Sequence, residues 1–254
     1  MTKTWENSAN RFVLYTDILG FKDLIQREEH DVVLEKLTIL SNFKNVINSM
    51  KWEEYINEDM LHDKPCFHSV TFSDSLFIFT KNDSIENFIA ISFLSRHLMR
   101  HSIKNKIPIK GVLSHGFTTV NKKEHIFFGQ PIVDAFLLEN ELNYIGIVIH
   151  NSFEKYFNDI LPDYRKYGIK RNLKPILMEL KTPLKKGRYK HFNVNWFKAF
   201  NEDDFDFNNK DFEDFLCSEI EEIKCNISGD IRRYIDNTIA VYDEIVQHYI
   251  DKNK

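Results

Sequence analysis

The stretch FVLYTDILGF, residues 12–21, decides how this chain is read. Phe12, Val13, Leu14 and Tyr15 form a continuous apolar run, the pattern of a strand buried on both faces. Asp17 stands at the tip of that strand, and Gly20 and Phe21 lead into a short helix predicted to reach about Gln26. A carboxylate at the end of a core strand, in front of a glycine turn, has two physical readings. It caps the following helix by accepting a bond from an orphan backbone N–H, or it meets a second carboxylate and holds a cation with it.

A partner lies in HSVTFSDSLFIF, residues 68–79. Val70 and Phe72 alternate with polar neighbours, Leu76 to Phe79 is a second apolar run, and Asp74 falls in the turn between them, so the segment predicts a hairpin. Asp31 is the predicted cap of a helix whose Val33, Leu34, Leu37, Leu40, Phe43 and Ile47 recur at helical spacing, and a charged, irregular stretch follows over residues 51–64. Asp83 and Glu86 have capping-box spacing for a helix to about Met99. Residues 109–120 read as a strand containing Gly111 and Gly116, EHIFFG (124–129) as another, Pro131 as first-turn residue of a helix to about Leu142, and YIGIVIH (144–150) as a further strand. This order begins as βαββαβ, so the expected fold is α+β with a ferredoxin-like palm core over residues 1–150. Residues 151–254 are expected to complete that core and add a helical C-terminal extension. They include a strand candidate at PILMEL (175–180), an acidic segment over 201–215 with a helix taking over near Asp211, and an apolar stripe of Ile231, Ile235, Ile239, Tyr242, Val246 and Tyr249 behind Asp230 as cap, read as a face packed on the parent domain.

The 254 residues are 43% hydrophobic and 14% aromatic, with 22 Phe against 8 Gly and 6 Pro, enough bulky material for a sizeable core with few flexible linkers. A formal net charge of -4 argues against bulk electrostatic binding to nucleic acid. No apolar run approaches the roughly 20 residues of a membrane helix. The polar start MTKTWENSAN and an odd set of cysteines without CxxC spacing (Cys66, Cys217, Cys225) point to a reduced, cytoplasmic protein. His97 and His101 are spaced as zinc ligands, but no carboxylate or cysteine partner stands near them in the sequence.

In a ferredoxin-like sheet the strands carrying Asp17 and Asp74 are neighbours, so the two carboxylates can converge. Hard oxygen ligands of this kind suit Mg2+ or Mn2+. The turn ILGF offers backbone N–H groups at a helix start, which attract phosphate, and Gly20 lets the backbone come close.

These residues resemble the class III nucleotidyl cyclases. DILGF (17–21) resembles that family's D-I/V-x-G-F motif, FSDSLFIF (72–79) its aspartate hairpin, IKGVLSHG (109–116) its R-x-G-I-x-x-G strand with the first glycine moved to Gly111, and FFGQPIVDAFLLE (127–139) its W-G-x-x-V-N-x-A-x-R-x-E segment. The four blocks fall in order over residues 12–140. The resemblance implies two divalent ions, Mg2+ or Mn2+, held by Asp17 and Asp74 with the backbone of Ile18. It implies a triphosphate cradled by Ile18, Leu19, Gly20 and Phe21, attack of the ribose 3′-hydroxyl on the α-phosphate, and a head-to-tail homodimer with shared sites.

The departures are specific. The purine-reading pair falls on Val70 and Ile126, beside Phe127, and the transition-state asparagine and arginine fall on Val133 and Leu137, with Asp134 the nearest polar side chain. The hairpin glycine is Ser73 and the strand arginine is Lys110. Similar losses mark the bacterial Pycsar antiphage cyclases, which make cyclic UMP or cyclic CMP. The expectation is therefore a cyclase acting on UTP or CTP, with Lys110, His115 and Asp134 as catalytic candidates, Lys22, His68 and Thr71 as further phosphate or base contacts, no stable nucleic acid or membrane partner, and a separate cyclic-nucleotide effector. A catalytically inactive nucleotide-binding or dimerisation module on the same fold is the alternative. A polymerase- or GGDEF-like palm is a third reading, although the GGDEF motif is absent.

Overall fold

The computed structural model describes residues 4–41, 56–57, 64–167, 176–196 and 232–252. Phe43, Ile47, most of the charged stretch over 51–64, the acidic segment over 201–215, the expected helix near Asp211, Asp230, Ile231, Cys217 and Cys225 lie outside the described residues, as do the side chains of Val246 and Tyr249.

The chain opens with β1 (Ser8–Ile18), α1 (Phe21–Arg27) and α2 (His30–Ser41), followed by the hairpin β2 (Phe67–Phe72) and β3 (Ser75–Thr80). Next come α3 (Ile85–Lys104), β4 (Ile109–Asn121), β5 (Ile126–Gly129), α4 (Gln130–Glu141), β6 (Gly146–Ile149) and α5 (Asn151–Ile160). A 3-10 segment (Leu161–Tyr167), β7 (Leu177–Leu184), β8 (Gly187–Val194) and α6 (Arg232–Lys252) complete the described elements. One sheet runs β2-β3-β1-β4-β6-β8-β7, with β5 paired to β4. Its first four strands, β2-β3-β1-β4, are antiparallel neighbours in the ferredoxin-like order that the βαββαβ pattern predicts.

β1 is the axis of this sheet. It pairs with β3 from Val13↔Phe79 to Asp17↔Ser75 and with β4 from Ser8↔Thr119 to Ile18↔Ile109. Side chains alternate along it. Phe12 turns to one face, where its ring centroid lies 5.7 Å from that of Phe88 on α3 and 5.2 Å from that of Phe153 on α5. Val13 and Tyr15 turn to the other. Val13 joins Phe79 and Val120 there, with Ile132 of α4 packed against them, and Tyr15 lies 6.0 Å from Phe136 of α4. The sheet is thus packed on both faces, which is why residues 12–15 carry no polar alternation.

Several boundaries differ from those expected. Ser84 caps α3, its hydroxyl accepting from the Asn87 N–H, whereas Asp83 bonds His115 instead. The helix runs on to Lys104, five residues beyond Met99. Asp31 lies inside the first turn of α2, which starts at His30, and Leu34 of that helix is exposed. β7 is longer than PILMEL and carries Pro183, tolerated on the outer strand of the sheet, whose outer edge there meets only the short bridge Leu142↔Leu184 among the described residues. β8, rich in Lys and Arg, joins β6 through Val148↔Asn193, so residues 177–194 extend the same sheet. Of the expected stripe, α6 buries Ile235 and Tyr242 and half-buries Ile239, while Val241 and Ile245, outside that stripe, are buried as well. The helix is tied to the turn before β6 by Thr238, whose hydroxyl oxygen accepts from the Ile145 N–H at 2.9 Å.

Gly111 sits where β4 crosses closest to β1, opposite Thr16. A Cβ there would lie 2.5 Å from the Tyr15 carbonyl oxygen and 2.6 Å from Thr16 Cγ2. Gly111→Ala is expected to lower stability by about 1–3 kcal/mol, the cost of overpacking a tight core contact, measured as a lower urea midpoint at unchanged m-value.

Candidate active site

The paired strand ends bring the two aspartates together. Asp17 is the penultimate residue of β1, and Asp74 sits with Ser73 in the two-residue turn between β2 and β3. Ser73 has φ 57°, the left-handed conformation that glycine adopts most easily and for which the resembling motif carries glycine. The Ile18 N–H donates to the Asp74 carbonyl at 3.2 Å, joining the turn after β1 directly to the hairpin turn.

Asp17, Ser75 and Lys110 form a row across three strands, since Asp17 pairs with Ser75 on one side and Lys110 on the other. The Ser75 hydroxyl donates to Asp17 Oδ1 at 3.2 Å. Burial, the neighbouring Asp74 charge and Glu139 push the Asp17 carboxyl up to about 6, against the opposing pull of the Ser75 hydrogen bond and Lys110. Burial is the largest cause, and the charge of Asp74 adds to it, as a like charge does near a partly desolvated carboxyl. Among the described residues no group of three or more His, Cys, Asp or Glu is arranged to hold a metal, so the carboxylate donors here are a pair. A pair of carboxylates with adjacent carbonyl oxygens, and no soft ligand, fits Mg2+ or Mn2+ completed by water or phosphate oxygens.

Gly20, at φ 77°, turns the chain into α1 without a side-chain cap. The sequence reading assigned the backbone from Ile18 to Phe21 to a phosphate. The N–H groups of Ile18 and Leu19 are instead committed within the fold, to the carbonyls of Asp74 and of Pro108, the latter at 2.8 Å. The donors left for an anion are those of the first turn of α1, which have no partner inside the helix.

The three catalytic candidates do not converge. Lys110 is at the carboxylate row, but it is buried and its ammonium is paired with Glu139 Oε1 at 2.6 Å. His115 lies five residues further along β4, opposite Phe12, on the other face of the sheet. It packs on Phe12 and Tyr156 and bonds Asp83 Oδ2 at 3.1 Å. Asp134 accepts from Gln130 at 2.7 Å and lies 3.9 Å from His150 Nδ1. Val133 and Leu137, where the resembling motif has its transition-state pair, sit with Phe136 on an exposed apolar stripe of α4. Val70 packs against the Val13–Phe79–Val120 cluster, and Ile126 opens β5 half-exposed. His68 stacks on Phe127 at 5.7 Å and meets Trp5 edge-on at 6.0 Å.

Sequence reasoning passed over Tyr15, Ser75 and Glu139. Tyr15 shares the face of Asp17 by strand alternation, which is a legible signal. Glu139 was within the quoted helix segment, but its pairing with Lys110 depends on how α4 lies across β4.

No protein-family model and no curated protein matches the chain. Solved structures do. A bacterial light-regulated adenylyl cyclase is 12% identical with a TM-score of 0.48, covering 86% of this chain and 100% of that one. The catalytic core of a rhodopsin-guanylyl cyclase with converted specificity, in complex with ATPαS, is 16% identical with a TM-score of 0.50, covering 74% of this chain and 98% of that one.

Because burial and Asp74 raise the Asp17 carboxyl from 3.8 to about 6, its contribution to stability is full below 3.8 and lost as pH rises through about 6. Asp17→Asn is therefore expected to raise the melting temperature of metal-free protein by a few degrees at pH 8, with the difference from wild type closing towards pH 4. Thermal denaturation in EDTA across that range checks it. The strand order β2-β3-β1-β4 and the likeness to the rhodopsin-guanylyl cyclase core agree: the chain has the α+β palm fold of that cyclase catalytic core.

Proposed function

We propose that this protein is a metal-dependent nucleotidyl cyclase that converts a nucleoside triphosphate into a 3′,5′-cyclic mononucleotide and pyrophosphate. The observation that carries the reading is the junction of two aspartate-bearing turns through the Ile18–Asp74 hydrogen bond, which holds Asp17 and Asp74 at one end of the sheet. Two aspartates on neighbouring turns, one of them with its carboxyl raised by burial and then by the other's charge, make a donor set that divalent ions would satisfy.

Asp17 and Asp74, with the carbonyl oxygen of Ile18, would hold the ions. Bound there, the ions supply positive charge at the reacting phosphate and acidify the ribose 3′-hydroxyl. The chain's own residues orient the reaction. The first turn of α1 behind Gly20 presents N–H groups and the positive helix end to the β- and γ-phosphates. The 3′-oxygen attacks the α-phosphorus, the bond to the bridging oxygen breaks, pyrophosphate leaves, and the hydroxyl proton passes to solvent. Lys110 acts within the fold, since its charge is matched by Glu139.

The base is proposed to be a pyrimidine, from UTP or CTP. Val70 and Ile126 offer neither donor nor acceptor to a purine edge, and Phe127, stacked on His68, lies in the same cluster as Val70. The working unit is proposed to be a head-to-tail homodimer. Phe117 on β4, Phe128 on β5, and Val133, Phe136 and Leu137 on α4 leave large apolar side chains exposed, which a second subunit would cover. Residues 1–150 would form the catalytic core, and residues 151–254 would complete it. Production of a pyrimidine messenger in antiphage defence, read by a separate effector, is the role that the resemblance suggests.

The apolar character of Val133 and Leu137 favours a second reading, an inactive nucleotide-binding or dimerisation module. One assay separates the two: purified protein, Mn2+ and each of the four triphosphates, with products resolved by chromatography. Cyclic UMP or cyclic CMP is expected, and Asp17→Ala or Asp74→Ala should each reduce turnover by roughly a hundredfold or more, as loss of a several-kcal/mol electrostatic contribution requires. Absence of any consumption favours the inactive module, a longer product favours a palm polymerase, and preference for ATP overturns the pyrimidine assignment.

A further inference from the structure

The carboxylate of Asp17 is held from behind by a chain of hydroxyls. Tyr15 and Asp17 are two residues apart on β1 and so share a face of the sheet. Ser75 is the register partner of Asp17 on β3 and stands on that same face. Its Oγ lies 3.2 Å from Asp17 Oδ1 and 3.2 Å from the Tyr15 hydroxyl. A serine hydroxyl has a single proton. With that proton given to the carboxylate, Ser75 accepts from Tyr15, so the direction of the chain is fixed: the Tyr15 O–H donates to Ser75 Oγ, and the Ser75 O–H donates to Asp17 Oδ1.

The far end of the chain is packed into the core. Tyr15 is buried, its ring stacks on Phe77 with centroids 4.6 Å apart and planes 23° apart, and Phe136 of α4 closes on it at 6.0 Å. A phenol carries its proton at neutral pH and so serves as a donor here. The near end faces a competitor for Asp17, the ammonium of Lys110 across the β1–β4 pair, and Glu139 occupies that ammonium at 2.6 Å. Asp17 is consequently anchored by a neutral donor. A neutral donor fixes a carboxylate's direction without cancelling the charge that a cation needs. It also opposes the tendency of two adjacent carboxylates to swing apart when nothing lies between them.

We propose that Ser75 and Tyr15 are positioning residues that pin Asp17, through Oδ1, in the orientation that receives a divalent ion together with Asp74. This rests on the reading of Asp17 and Asp74 as a cation site. It adds a support shell that does not touch substrate and acts through Asp17 alone.

The test is binding of Mn2+ by nucleotide-free protein, read as loss of the free-ion electron paramagnetic resonance signal, with circular dichroism to establish that each variant is folded. Ser75→Ala is expected to raise the Kd for Mn2+ by about ten- to a hundredfold, the usual effect of removing a partner that orients a metal ligand. Ser75→Thr, which keeps a hydroxyl, should return the Kd to the wild-type value. Tyr15→Phe removes one oxygen and leaves the Ser75 bond in place, so its Kd should fall between those of wild type and Ser75→Ala. A wild-type Kd in Ser75→Ala overturns the proposal. A Ser75→Thr protein that binds as weakly as Ser75→Ala also overturns it, because the loss then follows side-chain bulk and not the hydroxyl. An unchanged Kd in Tyr15→Phe overturns the relay and remains decisive if Ser75→Ala does not fold. Wild-type protein that binds no Mn2+ brings down the cation-site reading itself, a result distinct from all of these.

Discussion

The pairing of β1 on both of its edges is the constraint from which the rest follows. Eleven residues of β4, from Ile109 to Thr119, register against eleven of β1, while β3 registers on the opposite edge. Side-chain alternation then divides β1 between two layers, Phe12 and Leu14 to one and Val13, Tyr15 and Asp17 to the other. A slip of one residue would send Tyr15 and Asp17 into the opposite layer and leave Asp74 facing a different side chain. The row Ser75–Asp17–Lys110 is therefore a consequence of strand register, set along the whole sheet and read out at one end.

The two ends of β1 treat charge in opposite ways. At Arg11 the buried guanidinium is surrounded by acceptors: it donates to the carbonyls of Thr80, Lys81, Glu6 and Thr118, and its Cζ lies 4.4 Å from the centre of the Trp5 ring. That cation is satisfied and ties the start of the chain to β3 and β4. At Asp17 the carboxylate receives one neutral hydroxyl, faces Asp74, and has its nearest cation engaged by Glu139. The first arrangement builds a fold. The second leaves negative charge incompletely answered, which is characteristic of positions kept for binding a ligand.

The parts of the fold that were legible are those with strong local signals. The apolar run at residues 12–15, the hairpin around Asp74, Pro131 at the start of α4 and the strand β6 all appear where hydrophobic pattern and turn chemistry place them. Misreadings cluster where two residues compete for one local role. Asp83 and Ser84 both suit a cap, and Ser84 takes it because His115, distant in sequence, takes Asp83. β8 is not legible in the sequence because Arg188, Tyr189 and Lys190 are all exposed and leave only a weak apolar alternation. In the site, Asp17 and Asp74 were legible from their motifs. Ser75 was not singled out, although it adjoins Asp74, because a serine in a hairpin gains meaning only from what stands opposite.

The sequence by itself determined the elements, the ferredoxin-like order of the first strands and the two aspartates, because strand patterning, helix periodicity and turn residues act over a few neighbouring positions. Tertiary structure alone decided which groups are in play. It took the amides of Ile18 and Leu19 for the fold, paired Lys110 with Glu139, carried His115 to the opposite face and set Tyr15 and Ser75 behind Asp17. The physical reason is that hydrogen bonds and ion pairs are made between atoms a few ångströms apart. The chain separations involved, 58 residues for Asp17 and Ser75 and 29 for Lys110 and Glu139, are closed only by the register of the sheet and the seating of α4 upon it.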